Sequence, residues 1–349
     1  MLPELDARKQ GILRAIVRHY VETVEPVGSH TLADRYDLGV KPATLRNEMA
    51  EMADMGYLHQ PHTSAGRVPS DRGYRFYVNW LITPQVLSGA QRQRLREELE
   101  RSRAEVERVL VQTCRILTAL THYASMATPP EMGQDVLRQV HLAVLDRHRL
   151  LVVIALETGR VEHAVVPVSG DLMTVDLERV ERLVADAMRG KTVVQATTLV
   201  VEPEEPLSGE GVSVYRAVME AVREAMRRMR REEDSGDVVV DGTAEVIQQP
   251  EFASRDAVRA LIDFLEERRH LFSLLREVYT EEARVIIGSE SPDPRMQMCS
   301  LVAARYTVRG RYVGTIGVLG PTRMDYDRTV PVVREVARSL GEVLTQLSL

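Results

Sequence analysis

Lys41, Thr44, Arg46 and Asn47 crowd into the short stretch KPATLRN. Their side chains are of the kind that read nucleic acid. An Arg fork bonds guanine O6 and N7 together, Asn does the same at adenine N6 and N7, and Thr reaches either kind of base edge. Lys supplies a point charge for phosphate, which positions a protein on a duplex without reading it. These roles require one rigid element that carries all four groups on a single exposed face.

The local sequence supplies that element. Pro42 suits a first helical position, where its missing N–H costs nothing, and Leu45, Met49 and Met52 recur with helical spacing. Thr44, Arg46, Asn47 and Glu48 then lie off the buried stripe, and Gly56 ends the helix. Upstream, Ser29 is expected to cap a short helix that turns Leu32, Ala33 and Tyr36 inward, with Asp37 to Val40 as the tight connection. A longer amphipathic helix, Leu5 to Val24, precedes it with Ile12, Ile16 and Tyr20 on one side. Downstream, Tyr57 to Gln60 and Arg67 to Pro69 are short extended runs around the turn-forming loop 61–66. A helix pair alone is common in all-α proteins; with the hairpin added, the order is that of a winged helix-turn-helix.

In such a module the second helix enters the major groove N-terminus first, while flanking elements grip phosphate. The expected DNA-binding set is therefore Lys41, Thr44, Arg46 and Asn47 on the helix, with His62, Ser64, Arg67 and Arg72 in and after the wing. The wing contacts either the minor groove or phosphate alone. Lys41 makes sense in this setting: a cation at a helix N-terminus, in place of a Ser or Asp cap, costs roughly 0.3–1 kcal/mol unless a phosphate faces it. Charge alone is a weaker guide. The first eighty residues hold ten Lys and Arg against ten Asp and Glu, so any electrostatic footprint is a patch around Arg67, Arg72 and Arg75, which only Asp71 opposes. Scattered arginines of this kind also serve as a solvated face.

The stretch VGSHTLADRYDLGVKPATLRNEMAEMADMGYLHQPHTSAGRVPSDRGYRFYVNWL closely resembles the N-terminal region of the HrcA family of bacterial heat-inducible transcription repressors. Three later segments resemble the same family in the same order: GTAEVIQQPEF (242–252), CSLVAARY (299–306) and GTIGVLGPTRMDY (314–326). The chain departs from the pattern at Asp241, where a second glycine is expected, and at Lys41, where a small polar capper is usual. The resemblance implies a repressor that binds the CIRCE inverted repeat upstream of chaperone genes as a homodimer, supported by the GroEL chaperonin. It also implies a GAF-like domain interrupted by an inserted dimerisation domain.

The remaining chain accommodates that plan. Its 349 residues are enough for two or three domains, and the net charge of −6 lies wholly beyond residue 80, which argues against indiscriminate nucleic-acid binding. Cys114 and Cys299 stand alone, which excludes a disulfide framework or zinc set and fits a reducing cytoplasm. No signal core opens the chain, and the longest aliphatic run, 150–156, is too short for a bilayer, so a soluble protein is expected. Thr83-Pro84 and Ser88-Gly89 read as a hinge. A long mixed-charge helical pattern, 91–123, follows and ends at Thr128-Pro129-Pro130; its Arg92 to Arg108 stretch reads as a solvated face. Residues 139–168 alternate as a three-stranded antiparallel meander, with helical patterns at 177–188 and 212–231 after it. Helices at about 254–280, strands at 284–287, 301–308 and 312–319, and a final helix from Val330 complete the pattern.

Catalytic chemistry finds no footing. Gly314, Gly317 and Gly320 lie within a strand pattern instead of between strand and helix, so close packing or a bulge explains them better than a phosphate loop. Gly288 to Ser291 lacks the nucleophile-elbow pattern, and His141, His148 and His163 lack ligand spacing. RRMRREED (227–234) is nearly neutral, and Arg323, after a Gly-Pro turn, suits anion binding, a partner contact or a brace between the sheet and the last helix, of which the brace is the better reading. The expectation is a non-enzymatic, cofactor-free and metal-free α+β multidomain regulator. Its units are a winged helix-turn-helix at 1–85, a GAF-like α+β domain at 91–133 plus 236–349, and an inserted α/β dimerisation domain with an antiparallel sheet at 134–235. A second reading stays open, in which a small-molecule effector bound to the GAF-like domain controls DNA affinity.

Overall fold

A computed structural model of the chain describes residues 5–62, 65–101, 106–130, 133, 135–157, 159–203, 205–234, 238–278 and 282–347. α1 (Ala7–Thr23) is capped by Asp6, whose side chain accepts from the Lys9 N–H, and it ends where Val24 takes a left-handed conformation at φ 59°. α2 (Ser29–Arg35) follows, with Gly28 and not Ser29 at its N-cap and no side-chain cap bond. The expected Ser29 cap is thus wrong by one residue, since Ser29 is already helical. α3 (Pro42–Asp54) buries Leu45, Met49 and Met52 as its spacing predicts. β1 (Leu58–His59) and β2 (Val68–Pro69) form an antiparallel ribbon, which α4 (Asp71–Phe76) and a π-helical turn (Tyr77–Leu81) follow.

α5 (Gly89–Arg101) and α6 (Val106–Thr121) occupy the mixed-charge stretch. α6 stops earlier than its periodicity indicates, because His122 turns left-handed at φ 60° and β3 (Ala124–Ala127) begins. β4 (Leu137–Asp146), β5 (Arg149–Leu156) and β6 (Val161–Pro167) form the expected meander, and α7 (Leu177–Met188), α8 (Val193–Thr198) and α9 (Gly209–Asp234) pack on it. Next come β7 (Val239–Asp241), α10 (Thr243–Ile247), α11 (Arg255–Glu266) and α12 (Arg268–Arg276). The chain then forms β8 (Arg284–Ile287), β9 (Cys299–Val308), β10 (Arg311–Pro321) and α13 (Tyr326–Leu347).

Strand order β7-β3-β10-β9-β8 builds one antiparallel sheet from segments on both sides of the meander. One face of it, through Ala124, Met126, Leu301 and Ala303, packs against Phe264, Leu271 and Leu275 of α11 and α12. The other, through Val302, Ala304, Ile316 and Val318, joins α6, α13 and the N-terminal helices in a continuous core. The spaced glycines of β10 serve this packing. A Cβ on Gly314 would stand 2.4 Å from the Tyr306 hydroxyl, and one on Gly320 would stand 2.7 Å from the Tyr123 ring.

The segment after Leu81 is a docked connection and not the expected hinge. Thr83 donates its N–H to Asp327 Oδ1 at 2.7 Å, and Tyr77 donates its hydroxyl to Asp327 Oδ2 at 2.7 Å. Gln85 donates its N–H to the Asp327 carbonyl at 2.8 Å. That carbonyl is available because Pro331, four residues on, has no N–H to offer it. The last helix thus begins at Tyr326, four residues before the expected Val330, with Pro331 inside it, and the exposed carbonyl secures the connection.

Candidate nucleic-acid interface

α3 exposes Lys41, Thr44, Arg46 and Asn47. None of these side chains has a hydrogen-bond or ion-pair partner among the described residues. Lys41 occupies the N-cap at φ −72°, ψ 155° and makes no side-chain cap bond, while Pro42 has no N–H. The first turn therefore presents uncapped N–H groups of Ala43 and Thr44 beside a free ammonium, which together attract an anion.

The rotation of α3 is set by α1. Lys9 Nζ lies 2.7 Å from Glu48 Oε2 and 3.0 Å from Glu51 Oε2, and Arg8 reaches Glu48 Oε1 at 3.4 Å. Hydrogen bonding to Lys9 holds the Glu48 carboxyl below its ordinary range, and the same contact raises Lys9. The acidic residue next to Asn47 is thereby turned away from the exposed face. This contact escapes sequence reasoning because its partners are about forty residues apart and belong to separate helices.

In the ribbon, His59 and His62 are exposed, while Ser64 lies outside the described residues. Arg67 is half-buried, and its backbone exchanges two 2.9 Å hydrogen bonds with Val27, so the second strand is stitched to the segment before α2. Gly66 permits this approach, since a Cβ there would stand 2.4 Å from the Val27 backbone.

The arginines after the ribbon behave differently. Arg72 is exposed, but its guanidinium donates to the Met55 carbonyl at 2.9 Å and lies over the Tyr57 ring, 4.6 Å from its centroid. Arg75 pairs with Glu290 and donates to the Val285 carbonyl at 2.6 Å. Asp71 accepts from Ser289. The apparent basic patch is thus smaller than the sequence indicates, because Arg75 faces the five-stranded sheet. Arg323 does brace the fold, with other partners than expected: Glu251 at 2.5 Å, Gln249 at 2.9 Å and the Val21 carbonyl at 3.3 Å, near the end of α1.

Elsewhere, three of the four arginines in 227–234 are paired, Arg227 with Glu220 and Glu224, Arg228 with Glu162 and Arg231 with Glu224. His141 contacts Glu181 at 3.1 Å. Among the described residues, no group of three or more His, Cys, Asp or Glu is arranged to hold a metal, and no helix is long and apolar enough to cross a membrane.

Residues 107–330 match the family described as the HrcA protein C terminal domain. A heat-inducible transcription repressor HrcA of Natranaerobius thermophilus is 39% identical over 342 residues, spanning 97% of each chain. Its counterpart from Moorella thermoacetica is 36% identical over 344 residues, spanning 98% of this chain and 99% of the relative. A crystal structure of a hypothetical protein superposes with a TM-score of 0.60 at 24% identity, covering 99% of this chain and all of that one, and so shares the fold. With a family match over more than half its length and relatives of this identity from end to end, the chain belongs to the HrcA family of heat-inducible transcription repressors.

Proposed function

We infer that the chain is a homodimeric winged-helix repressor that reads an inverted repeat of the CIRCE type upstream of chaperone genes, with activity supported by GroEL. The observation that carries this reading is the set of exposed, unpartnered Lys41, Thr44, Arg46 and Asn47 at the open N-terminus of α3, beside a two-stranded ribbon. Arg46 and Asn47 take base edges, and Thr44 supports them. Lys41, His62, Ser64 and Arg67 grip backbone or line the groove edge, while Arg72, held on the Met55 carbonyl and over the Tyr57 ring, braces the end of α3. In this scheme residues 1–85 are the reading head, 91–133 with 236–349 the GAF-like body, and 134–235 the inserted dimerisation domain.

The meander favours a second copy as its partner. Leu150, Val152, Ile154 and Leu156 of β5 point into the core, which leaves Leu151 and Val153 on the opposite face. On β6, Val161 and Val165 are 58% and 52% exposed, and they pair in register with Ala155 and Leu151. An apolar sheet face of this kind asks for cover, and a two-fold pairing through it matches a two-fold operator. GroEL enters through family membership.

Gel shifts on an inverted repeat and on scrambled DNA at several salt concentrations, with the mass of the complex measured alongside, test the reading. Equal affinity for both DNAs, or one chain per repeat, defeats it. Adding GroEL to a dilute repressor is expected to raise the fraction that binds. The effector reading has one observation in its favour, an open cleft of about 440 Å³ lined by Gly89, Arg92, Gln93, Arg96, Glu335 and Arg338. Arg96 and Arg338 are already paired there with Glu342. Thermal stabilisation by anionic metabolites, and none by operator, would favour it.

A further inference from the structure

Neighbouring residues at the start of α4 are fastened in two opposite directions. Ser70 donates its hydroxyl to the Gly56 carbonyl at 2.6 Å and its N–H to the Tyr57 carbonyl at 3.1 Å, while Arg72 holds the Met55 carbonyl at 2.9 Å. These contacts fix the C-terminal end of α3. Asp71 turns the other way and accepts from the N–H and hydroxyl of Ser289 at 2.9 and 2.7 Å. Arg75 follows it, with Nε 2.6 Å from Glu290 Oε1 and a terminal nitrogen on both the second Glu290 oxygen and the Val285 carbonyl. Glu290 is itself held by the Ile287 N–H at 2.9 Å.

Both joints are close-packed, the first against a side chain and the second against backbone. Gly288 sits at φ 45°, and a Cβ there would stand 2.5 Å from the Asp71 carboxylate. A Cβ on Gly73 would stand 2.3 Å from the Tyr57 carbonyl oxygen. Between the joints the Tyr74 ring packs on Tyr326 with centroids 5.9 Å apart. A rigid path therefore runs from the 288–290 turn through α4 to the end of α3.

We propose that Asp71 and Arg75 are positioning residues for operator recognition: by gripping the 288–290 turn they fix the direction in which each body presents α3, and so set the half-site spacing that the dimer accepts. The proposal rests on the DNA-binding reading above. A forked guanidinium–carboxylate pair constrains orientation as well as distance. Two heads held at one geometry lose their joint avidity when the sites do not match it, whereas loosely tethered heads tolerate the mismatch. On DNA the mismatch is angular too, because half a helical turn carries the second half-site to the opposite face of the duplex.

The test uses the full chain, inverted repeats whose spacer is lengthened or shortened by about half a helical turn, and a single half-site. The variants are the Asp71→Ala/Arg75→Ala double substitution, Gly288→Ala, which displaces the Asp71 carboxylate without removing a charge, and Glu290→Gln as the mildest. Wild type is expected to lose on the order of 10²-fold in affinity at the wrong spacing, and the variants about tenfold or less, with half-site affinity unchanged. All binding is measured below each variant's melting temperature, and Glu290→Gln carries the test where the others fail to fold. A wild-type spacing profile in the variants overturns the proposal, as does a loss on the single half-site equal to the loss on the full repeat. A wild-type protein that prefers no inverted repeat over scrambled DNA overturns the DNA-binding reading itself, and that failure is recognisable before any variant is made.

Discussion

The first turn of α3 and the whole of α4 look alike as sequence, since each is short, polar and carries arginine. In the structure they are opposites. Lys41, Thr44, Arg46 and Asn47 point outward with no partner among the described residues, whereas Asp71, Arg72 and Arg75 are engaged by Ser289, Met55 and Glu290. Residue type thus does not separate a group that waits for a ligand from one that braces the fold. What separates them is the accounting of partners: a cation left unpaired beside an uncapped helix N-terminus has an unmet demand that a cation on a carbonyl or carboxylate does not.

The comparison breaks most forcefully on the engaged side. Arg323 is 7% exposed and holds Glu251, Gln249 and the end of α1. Replacing it with Met leaves a largely buried carboxylate without its cation, at an expected cost of ~3–5 kcal/mol. Chemical denaturation should show that loss, and base preference among operator variants should be unchanged. A stable Arg323→Met protein with altered base preference would put Arg323 on the wrong side of the comparison.

On the free side the signature reverses. Arg46→Ala or Asn47→Ala should cost ~1–3 kcal/mol in operator affinity and relax preference at particular base pairs. Thermal stability should stay within about 0.5 kcal/mol of wild type, because no described partner is lost. Lys41→Ala and Arg67→Ala should act more weakly and evenly, lowering affinity for all sequences and reducing the slope of log affinity against log salt by about one each. If Arg46→Ala changed only that slope, the exposed face of α3 would be gripping phosphate and not reading bases.

Legibility in the sequence follows the range of the interactions. Leu45, Met49 and Met52 announce α3 because helix burial is periodic and local, and the alternation of β5 announces the meander for the same reason. β3 was invisible because ASMA is buried throughout and shows no alternation, and the residues before it continue a helical pattern. The facing of α4 was invisible because Glu290 is 215 residues from Arg75. The expected start at Val330 falls four residues late: α13 begins at Tyr326 with Pro331 inside it, and the carbonyl that the proline leaves unpaired is taken by Gln85 from the connection to the N-terminal helices. The hinge suggested by Thr83-Pro84 was lost to the same long-range bond.

The smallest expected effect falls behind the free face, at the ion cluster between α1 and α3 that sets the rotation of α3. Lys9 bonds to Glu48 and holds that carboxyl below its usual value of 4.5, with both side chains mostly buried at 14% and 12% exposure. A carboxyl whose pKa is depressed in the folded state contributes stability that is fully present above its unfolded pKa and drains away as pH falls through the folded one. Glu48→Gln removes that dependence. The stability gap between wild type and Glu48→Gln should therefore be constant near neutrality and close progressively below about pH 4.5, toward the acid side. Denaturation midpoints measured across that range decide it. A gap that persists unchanged into acid would mean that Glu48 contributes packing and not charge, and that Lys9 leans on Glu51, 3.0 Å away, to hold α3 in place.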